Sequence, residues 1–170
     1  TILGKFFIEN RTPSKYKEIS PNVFNALIAT DDARFREHSG IDGVAVLRAI
    51  ILLGSKGGGS TITQQLAKNL FPRQHQNFFT LPIIKLKEWI MAIKLEKNLT
   101  KEEIITLYLN TVPFGDNTYG IRNASVTFFS KTPDKLSLEE CAILIGMLKR
   151  NTLYTRRRNP TNSFSRRNTV

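Results

Sequence analysis

Apolar residues recur along most of the chain every three or four positions, the spacing of helices that bury one face. Ser20-Pro21 precedes the first such run, as a capping hydroxyl followed by proline at the first helical position. Further runs follow capping-box patterns, in which Glu or Gln stands three residues after Ser or Thr; these begin at Thr61, Thr100 and Ser137. Only Gly4 to Ile8 alternates as a strand does. The pattern predicts a mainly α fold.

Polar segments containing glycine or proline separate the predicted helices. They fall at residues 54–59, 72–80 and 113–117 and after Arg150, and we expect loops there. The length of 170 residues and the hydrophobic fraction of 41% suit one globular domain spanning residues 1–170. The chain starts at Thr1-Ile-Leu-Gly without a helix-capping signal, and it stops at Val170, where a helical pattern is starting. We therefore expect a fragment of a longer protein.

The charge changes the picture, because 25 Lys and Arg residues against 14 Asp and Glu residues give a net charge of +11. Such a surplus indicates an anionic partner, which is nucleic acid, a membrane surface or a phosphorylated ligand. No recognised DNA- or RNA-binding motif accompanies the charge, so nucleic acid is not expected. No apolar run approaches the roughly 20 residues of a spanning helix. The single cysteine, Cys141, lies in an apolar run and is expected in the core.

The first segment with candidate chemistry runs from Asp31 to Gly40 and includes His38. Asp31 and Asp32 end an apolar helical stretch, and partial desolvation there would raise a carboxyl pKa and make it a better base. The alternative is a solvated helix end whose acids pair with Arg34 and Arg36 at the surface.

The second segment is Gly57-Gly-Gly-Ser-Thr-Ile-Thr-Gln-Gln-Leu-Ala-Lys-Asn69. A glycine run before a capped helix leaves backbone N–H groups free at the helix N-terminus, which attracts phosphate. Lys68 adds a cation one to two turns later. The alternative is a flexible loop followed by an ordinary amphipathic helix.

The third segment holds Lys85, Lys87 and Glu88. Lys85 and Glu88 lie three positions apart on one helix face, so a simple ion pair is the alternative to a catalytic role. The aromatic and aliphatic stretch from Leu70 to Ile84 has basic flanks, which suits a membrane interface, with core packing as the alternative.

Together and in this order, the segments resemble the peptidoglycan glycosyltransferases, family 51 of glycosyltransferases, found alone or at the N-terminus of class A penicillin-binding proteins. The family's Glu-Asp-x-x-Phe-x-x-His-x-Gly motif is matched at Asp31 to Gly40 except at its first position. Its Gly-Gly-Ser-Thr-Ile-Thr-Gln-Gln motif with the following Lys-Asn is matched fully from Gly58 to Asn69. Lys85 to Glu88, Lys101 to Asn110 and Leu136 to Gly146 resemble the third, fourth and fifth motifs.

The resemblance implies a lysozyme-like, two-lobed helical domain whose smaller lobe faces the membrane. It implies an enzyme that polymerises lipid II at the outer face of the bacterial cytoplasmic membrane. In that reaction the acceptor's sugar hydroxyl attacks the donor's anomeric carbon, the lipid pyrophosphate leaves, and the linkage changes from α to β-1,4. The expected partners are lipid II, the growing glycan strand, an anionic membrane surface and other cell-wall synthesis proteins.

The resemblance also implies roles for particular residues. Asp31 takes the position of the general base. Glu88 matches the second acid, which is assigned to positioning or to a divalent metal, Mg²⁺ or Mn²⁺. Substrate-binding and supporting positions of the family are matched by Asp32, Phe35, His38, Gly58, Ser60, Thr61, Gln64, Gln65, Lys68, Asn69, Lys85 and Lys87.

Two departures bear on activity. Asp31 stands where the family has Glu, and Ile84 stands where it has Arg, which removes a cation that Arg73 is placed to replace. Two alternatives to an active polymerase therefore stay open: a weakened or inactive homologue that binds lipid II or membrane, and a lysozyme-like muramidase.

Overall fold

The computed structural model describes residues 13–51, 59–71, 81–149 and 165–170. Within them the fold is mainly helical, as predicted. The helices and strands are α1 (Pro21–Asp31), α2 (Gly43–Ile51), α3 (Ile62–Leu70), α4 (Leu81–Asn98), α5 (Lys101–Thr111), β1 (Pro113–Gly115), β2 (Thr118–Tyr119), α6 (Ile121–Phe129) and α7 (Leu138–Lys149). The predicted strand from Gly4 to Ile8 lies outside the described residues.

The predicted helix starts are confirmed, although one capping box is only half formed. At Thr100 the backbone N–H donates to Glu103 and the Glu103 N–H donates back to the Thr100 hydroxyl, and Ser137 forms the same exchange with Glu140. At Thr61 the hydroxyl accepts from the Gln64 N–H, but the Gln64 side chain donates elsewhere. That exception ties α3 to the first motif.

The described residues divide into two compact units. One is Leu27–Tyr108, in which α3 packs against α4. The other joins the residues up to Ala26 with those from Leu109 onward, and there α6 packs against α7. Cys141 is fully buried in this second unit, as expected of a core residue, and burial raises the pKa of its thiol to about 11.

The loop predicted at residues 113–117 is wrong in part, because Pro113–Gly115 and Thr118–Tyr119 pair as an antiparallel ribbon. Asp116 and Asn117 form its turn with φ of 46° and 55°, the left-handed values that such two-residue turns require. Asp and Asn tolerate this conformation better than most residues, so the turn chemistry is present in the sequence.

No helix of the described residues combines the length and the apolar character that crossing a membrane requires.

Candidate active site

Asp31 is the last residue of α1 and is half-buried. It lines a cavity of about 240 Å³, named here the Asp31 cavity, whose other described lining residues come from the end of α1, the first two motifs, the cap residue Asp42 and α2. They are Ala29, Thr30, Asp32, Ala33, Arg34, Asp42, Ala45, Arg48, Ser60 and Thr61. The predicted base, Asp31, and the hydroxyl side chains at the start of α3 therefore share one cavity.

Asp32 lies beside Asp31 in sequence but has a structural environment. Its carboxylate is buried, accepts from the Ile62 N–H at 2.9 Å and lies 3.0 Å from His38 Nε2. The Gly40 N–H donates to His38 Nδ1 at 3.2 Å, so Nε2 carries the imidazole proton and donates to Asp32. Asp32 thus satisfies a free N–H at the start of α3, where a negative charge is also favoured by the helix dipole.

Gly40 closes the first motif against α3 and α4. Its φ of +94° favours glycine, and a Cβ at this position would lie only 3.0 Å from the Ala92 backbone. Its carbonyl oxygen accepts from the Thr61 hydroxyl at 2.7 Å and from Gln64 Nε2 at 3.3 Å. The first and second motifs are therefore bonded to each other directly.

Lys101 of α5 holds the same loop from another side. Its Nζ donates to the His38 carbonyl oxygen at 2.6 Å and to Glu96 at 2.8 Å, and it lies 4.5 Å from the centroid of the Phe35 ring. Glu96 also accepts from Thr63 at 2.6 Å. Phe35 is 1% exposed, which suits a supporting position for this aromatic side chain.

Lys85 connects the third motif to the second. Its Nζ donates to the Ser60 hydroxyl at 2.7 Å and to Glu88 at 3.1 Å. Since Ser60 lines the Asp31 cavity, Lys85 brings a positive charge to the cavity wall. The ion pair with Glu88, weighed as an alternative to a functional role, is present together with the contact to the second motif.

Glu88 suits the orientation of Lys85 better than a preformed metal site. The described residues contain no group of three or more His, Cys, Asp and Glu side chains close enough to share a metal. A carboxylate bonded to an ammonium group is already neutralised in part, whereas metal sites gather several oxygen ligands. The described residues around Glu88 therefore form no preformed site for a divalent ion, and the metal at Glu88 stays a prediction.

The remaining predicted residues divide by exposure. Lys68 and Lys87 are exposed, whereas Gln65 and Asn69 are half-buried on α3. Gly58 and Arg73 lie outside the described residues.

Sequence reasoning missed Arg48 and Asp42. Arg48 is an exposed cation of the Asp31 cavity and the only charged residue of α2, a signal that could have singled it out. Asp42 caps α2 through the Ala45 N–H and pairs with both Nε and Nη2 of Arg34. Arg34 therefore pairs with Asp42, and not with Asp31 or Asp32 as the alternative interpretation of the first segment predicted.

Burial alone would raise the pKa of Asp42, but the Ala45 N–H and the Arg34 guanidinium outweigh it and hold the pKa below its usual range. Asp42 therefore stays ionised and neutralises Arg34, which leaves Arg48 as the exposed arginine among the described residues that line the cavity.

The Transglycosylase family matches residues 1–170. Penicillin-binding protein 2a of Streptococcus pneumoniae serotype 2 is 42% identical over 153 residues, covering 90% of this chain and 20% of the relative. Penicillin-binding protein 1F of Bacillus subtilis 168 is 41% identical over 172 residues, covering 99% and 24%. Penicillin-binding protein 1A of Escherichia coli K12 is 36% identical over 173 residues, covering 99% and 20%.

The chain thus spans a fifth to a quarter of the length of these curated relatives. The family match nevertheless extends over all its residues, and the first two motifs that it contains meet at the Asp31 cavity. The chain belongs to the transglycosylase family, as a mainly helical, lysozyme-like transglycosylase domain.

Proposed function

We propose that this domain polymerises peptidoglycan glycan from lipid II, with Asp31 as the general base. The observation that carries the proposal is the Asp31 cavity itself. One cavity joins a half-buried carboxylate, the hydroxyls at the start of α3 and the cation Arg48, with Lys85 bonded to its wall through Ser60. A base opposite a site for negative charge is what transfer from a sugar pyrophosphate requires.

The reaction follows from these charges. Asp31 takes the proton of the acceptor sugar hydroxyl while that oxygen forms a bond to the anomeric carbon of the donor. The bond from the anomeric carbon to the pyrophosphate oxygen breaks on the opposite face, so the configuration inverts. The pyrophosphate leaves with the bonding electron pair, and Lys85, Arg48 and Lys68 stabilise its growing negative charge.

The structural role of Asp32 disfavours the muramidase alternative. Retaining and inverting glycosidases use two carboxyl groups that flank the scissile bond. The carboxylate of Asp32 is instead buried against the Ile62 N–H and His38, so it does not supply the second acid. A hydrolase also has no pyrophosphate leaving group, so it would not need the cations Lys85, Arg48 and Lys68 to stabilise one.

A membrane surface and lipid II at the outer face of the bacterial cytoplasmic membrane complete the proposal, with other cell-wall synthesis proteins as partners. The net charge of +11 supports an anionic surface. Two helices also carry exposed apolar side chains on single faces, at Val44, Leu47 and Ile51 of α2 and at Ile83, Leu86, Ile90 and Ile93 of α4. Of the interface predicted from Leu70 to Ile84, Phe71, Leu81 and Ile83 are exposed and residues 72–80 lie outside the described part.

Glycan synthesis by the complete protein tests the proposal. Fluorescent lipid II should be converted to long strands that a muramidase then digests. Asp31→Asn should lower the rate by about 10²- to 10⁴-fold, the usual contribution of a general base. Glu37→Gln, which neutralises an exposed carboxylate of the same loop, is the matched control and should keep the rate.

Retention of more than about a tenth of the rate by Asp31→Asn would remove Asp31 from the role of base. Lipid II binding without strand synthesis would favour the inactive homologue. Cleavage of preformed glycan by the wild-type protein would favour the muramidase.

A further inference from the structure

Tyr108, in the fourth motif, contacts Gln65, one of the predicted substrate-binding residues. Its side chain is 1% exposed in α5, and its hydroxyl donates to Gln65 Oε1 at 3.0 Å. Burial, and then the negative charge of Asp31, raise the pKa of the Tyr108 phenol above its usual range. The group therefore stays protonated at all working pH values and keeps its O–H to donate.

This bond determines which half of the Gln65 amide faces α5. A glutamine amide has a carbonyl oxygen on one side and an NH₂ group with two donors on the other. Because Oε1 accepts from the phenol, the NH₂ group is directed away from Tyr108. Without the phenol O–H, the two orientations of the amide would be closer in energy.

The face of α3 that bears Gln65 also bears a cation. Lys68 follows Gln65 by three positions and Asn69 by four, so the three side chains are neighbours on one helix face. Lys68 is exposed and the other two are half-buried, whereas Leu66 and Ala67 are buried on the remaining surface. Donors and a positive charge together on an accessible face suit the oxygens of a phosphorylated ligand.

We propose that Tyr108 is a positioning residue, which fixes the Gln65 amide so that its NH₂ group donates to the pyrophosphate of the substrate beside Lys68. The inference rests on the proposed function for the identity of that pyrophosphate. Tyr108 itself touches no substrate in this scheme, and its whole effect passes through Gln65.

A double-mutant cycle in the complete protein tests this route. Tyr108→Phe removes one hydroxyl and keeps the ring in the core, and Gln65→Ala removes the amide. Tyr108→Phe should lower kcat/KM for lipid II by about 2- to 10-fold, the size of one hydrogen bond. Gln65→Ala should lower it at least as much, and the double variant should match Gln65→Ala within about twofold, because residues in one hydrogen-bonded chain are not additive. Tyr16→Phe, at a ring that stacks on Phe24, is the control for losing a tyrosine hydroxyl.

Two further measurements separate positioning from other effects. All rates are taken well below the melting temperature of each variant, so that lost stability does not mimic lost activity. The acid limb of the pH profile of kcat/KM reports the base, and Tyr108→Phe should leave its midpoint unchanged. A shifted midpoint would show that Tyr108 acts on Asp31 directly and would overturn the inference, as would losses that multiply in the double variant.

Ligand binding distinguishes this inference from the proposed function. Affinity for farnesyl pyrophosphate is measured for the wild type, Tyr108→Phe, Gln65→Ala and the double variant, with farnesol as the neutral probe. A non-additive loss for the pyrophosphate alone supports the role of Tyr108 even if no variant, wild type included, makes glycan. Equal losses for both probes, or no loss in Tyr108→Phe, contradict it even if the wild-type protein polymerises lipid II.

Discussion

Asp31 and Asp32 are adjacent in sequence, but their carboxylates have different surroundings. Asp32 is bonded to the start of α3 and to His38, so its charge stabilises the fold of the site. Asp31 lines the cavity and is half-buried, so it is accessible to a ligand and partly desolvated. Burial and hydrogen bonding give Asp32 a structural role, whereas Asp31 keeps the accessibility that the proposed base requires.

The shorter acid at position 31 leads to a prediction at the residue scale. In the family Glu stands here, and its carboxylate extends one methylene further. If the backbone of the site keeps the family's geometry, Asp31→Glu should bring the base closer to the acceptor hydroxyl. Strand synthesis should then rise, by up to about 100-fold on the positional argument.

The outcome of this substitution discriminates among three states of the site. A fall in rate means that the backbone has adapted to Asp. Inactivity in both forms, with lipid II still bound, makes the missing cation at Ile84 the cause, and adding Ile84→Arg to the Asp31→Glu variant should then restore synthesis. If that double variant is also inactive, the chain is a domain that binds lipid II without polymerising it.

Sequence reasoning finds the residues whose identity alone carries chemistry and misses those defined by a tertiary contact. Asp31, Ser60 and Lys85 are predicted, and they do meet at or beside one cavity. Tyr108 is not, because a buried tyrosine in a helix looks like any core residue until its partner is known. Arg48 is missed because a single arginine in an apolar helix indicates a site only once the cavity that it lines is known.

At the scale of elements, capping chemistry predicts most helix starts. Thr100 and Ser137 begin their helices by complete capping boxes, because both partners are local in sequence. The Thr61 box is predicted equally well, but Gln64 donates to Gly40, 24 residues away, instead of to its own cap. A contact between motifs wins there over the local bond, and the sequence pattern holds no information on which prevails.

The cap of α2 gives a pH-dependent prediction at this scale. The pKa of Asp42 is lowered in the folded state, so its ionised form adds stability above the unfolded pKa of about 3.9, and this is lost as pH falls through the folded pKa. Asp42→Asn keeps an N-cap side chain but loses the charge that pairs with Arg34. The variant should be less stable by about 1 kcal/mol at pH 7, given the partial exposure of the pair.

Thermal unfolding from pH 7 down to about pH 3 measures this effect. The difference in melting temperature between wild type and Asp42→Asn should shrink as pH falls toward the lowered folded pKa, since protonation of Asp42 removes the charge that the variant lacks. Glu102→Gln, which changes an exposed acid of α5, should show no such convergence. A constant difference at all pH values would mean that shape, not charge, makes Asp42 stabilising.

At the scale of the whole molecule, charge and apolar surface act together. In the proposed function the positive surplus would attract the chain to an anionic bilayer, and salt screens this attraction with a Debye length of about 8 Å at physiological ionic strength. The exposed apolar faces of α2 and α4 add an attraction that salt does not screen. Binding that has both contributions should weaken with salt without vanishing.

The apolar face of α4 supplies the test of this combination. Ile83, Leu86 and Ile90 are 59%, 57% and 48% exposed, so replacing all three by Ser leaves the core intact. Fully burying one such side chain contributes about 1.5–3 kcal/mol, so partial insertion of three predicts at least a roughly 10-fold loss of affinity for phosphatidylglycerol vesicles. The loss should persist at high salt, where the electrostatic attraction is already weak.

Leu138→Ser, at a comparably exposed position of α7, is the control and should bind as the wild type does. Equal vesicle binding by the triple variant would show that this face of α4 does not enter the bilayer, and charge alone would then account for the attachment.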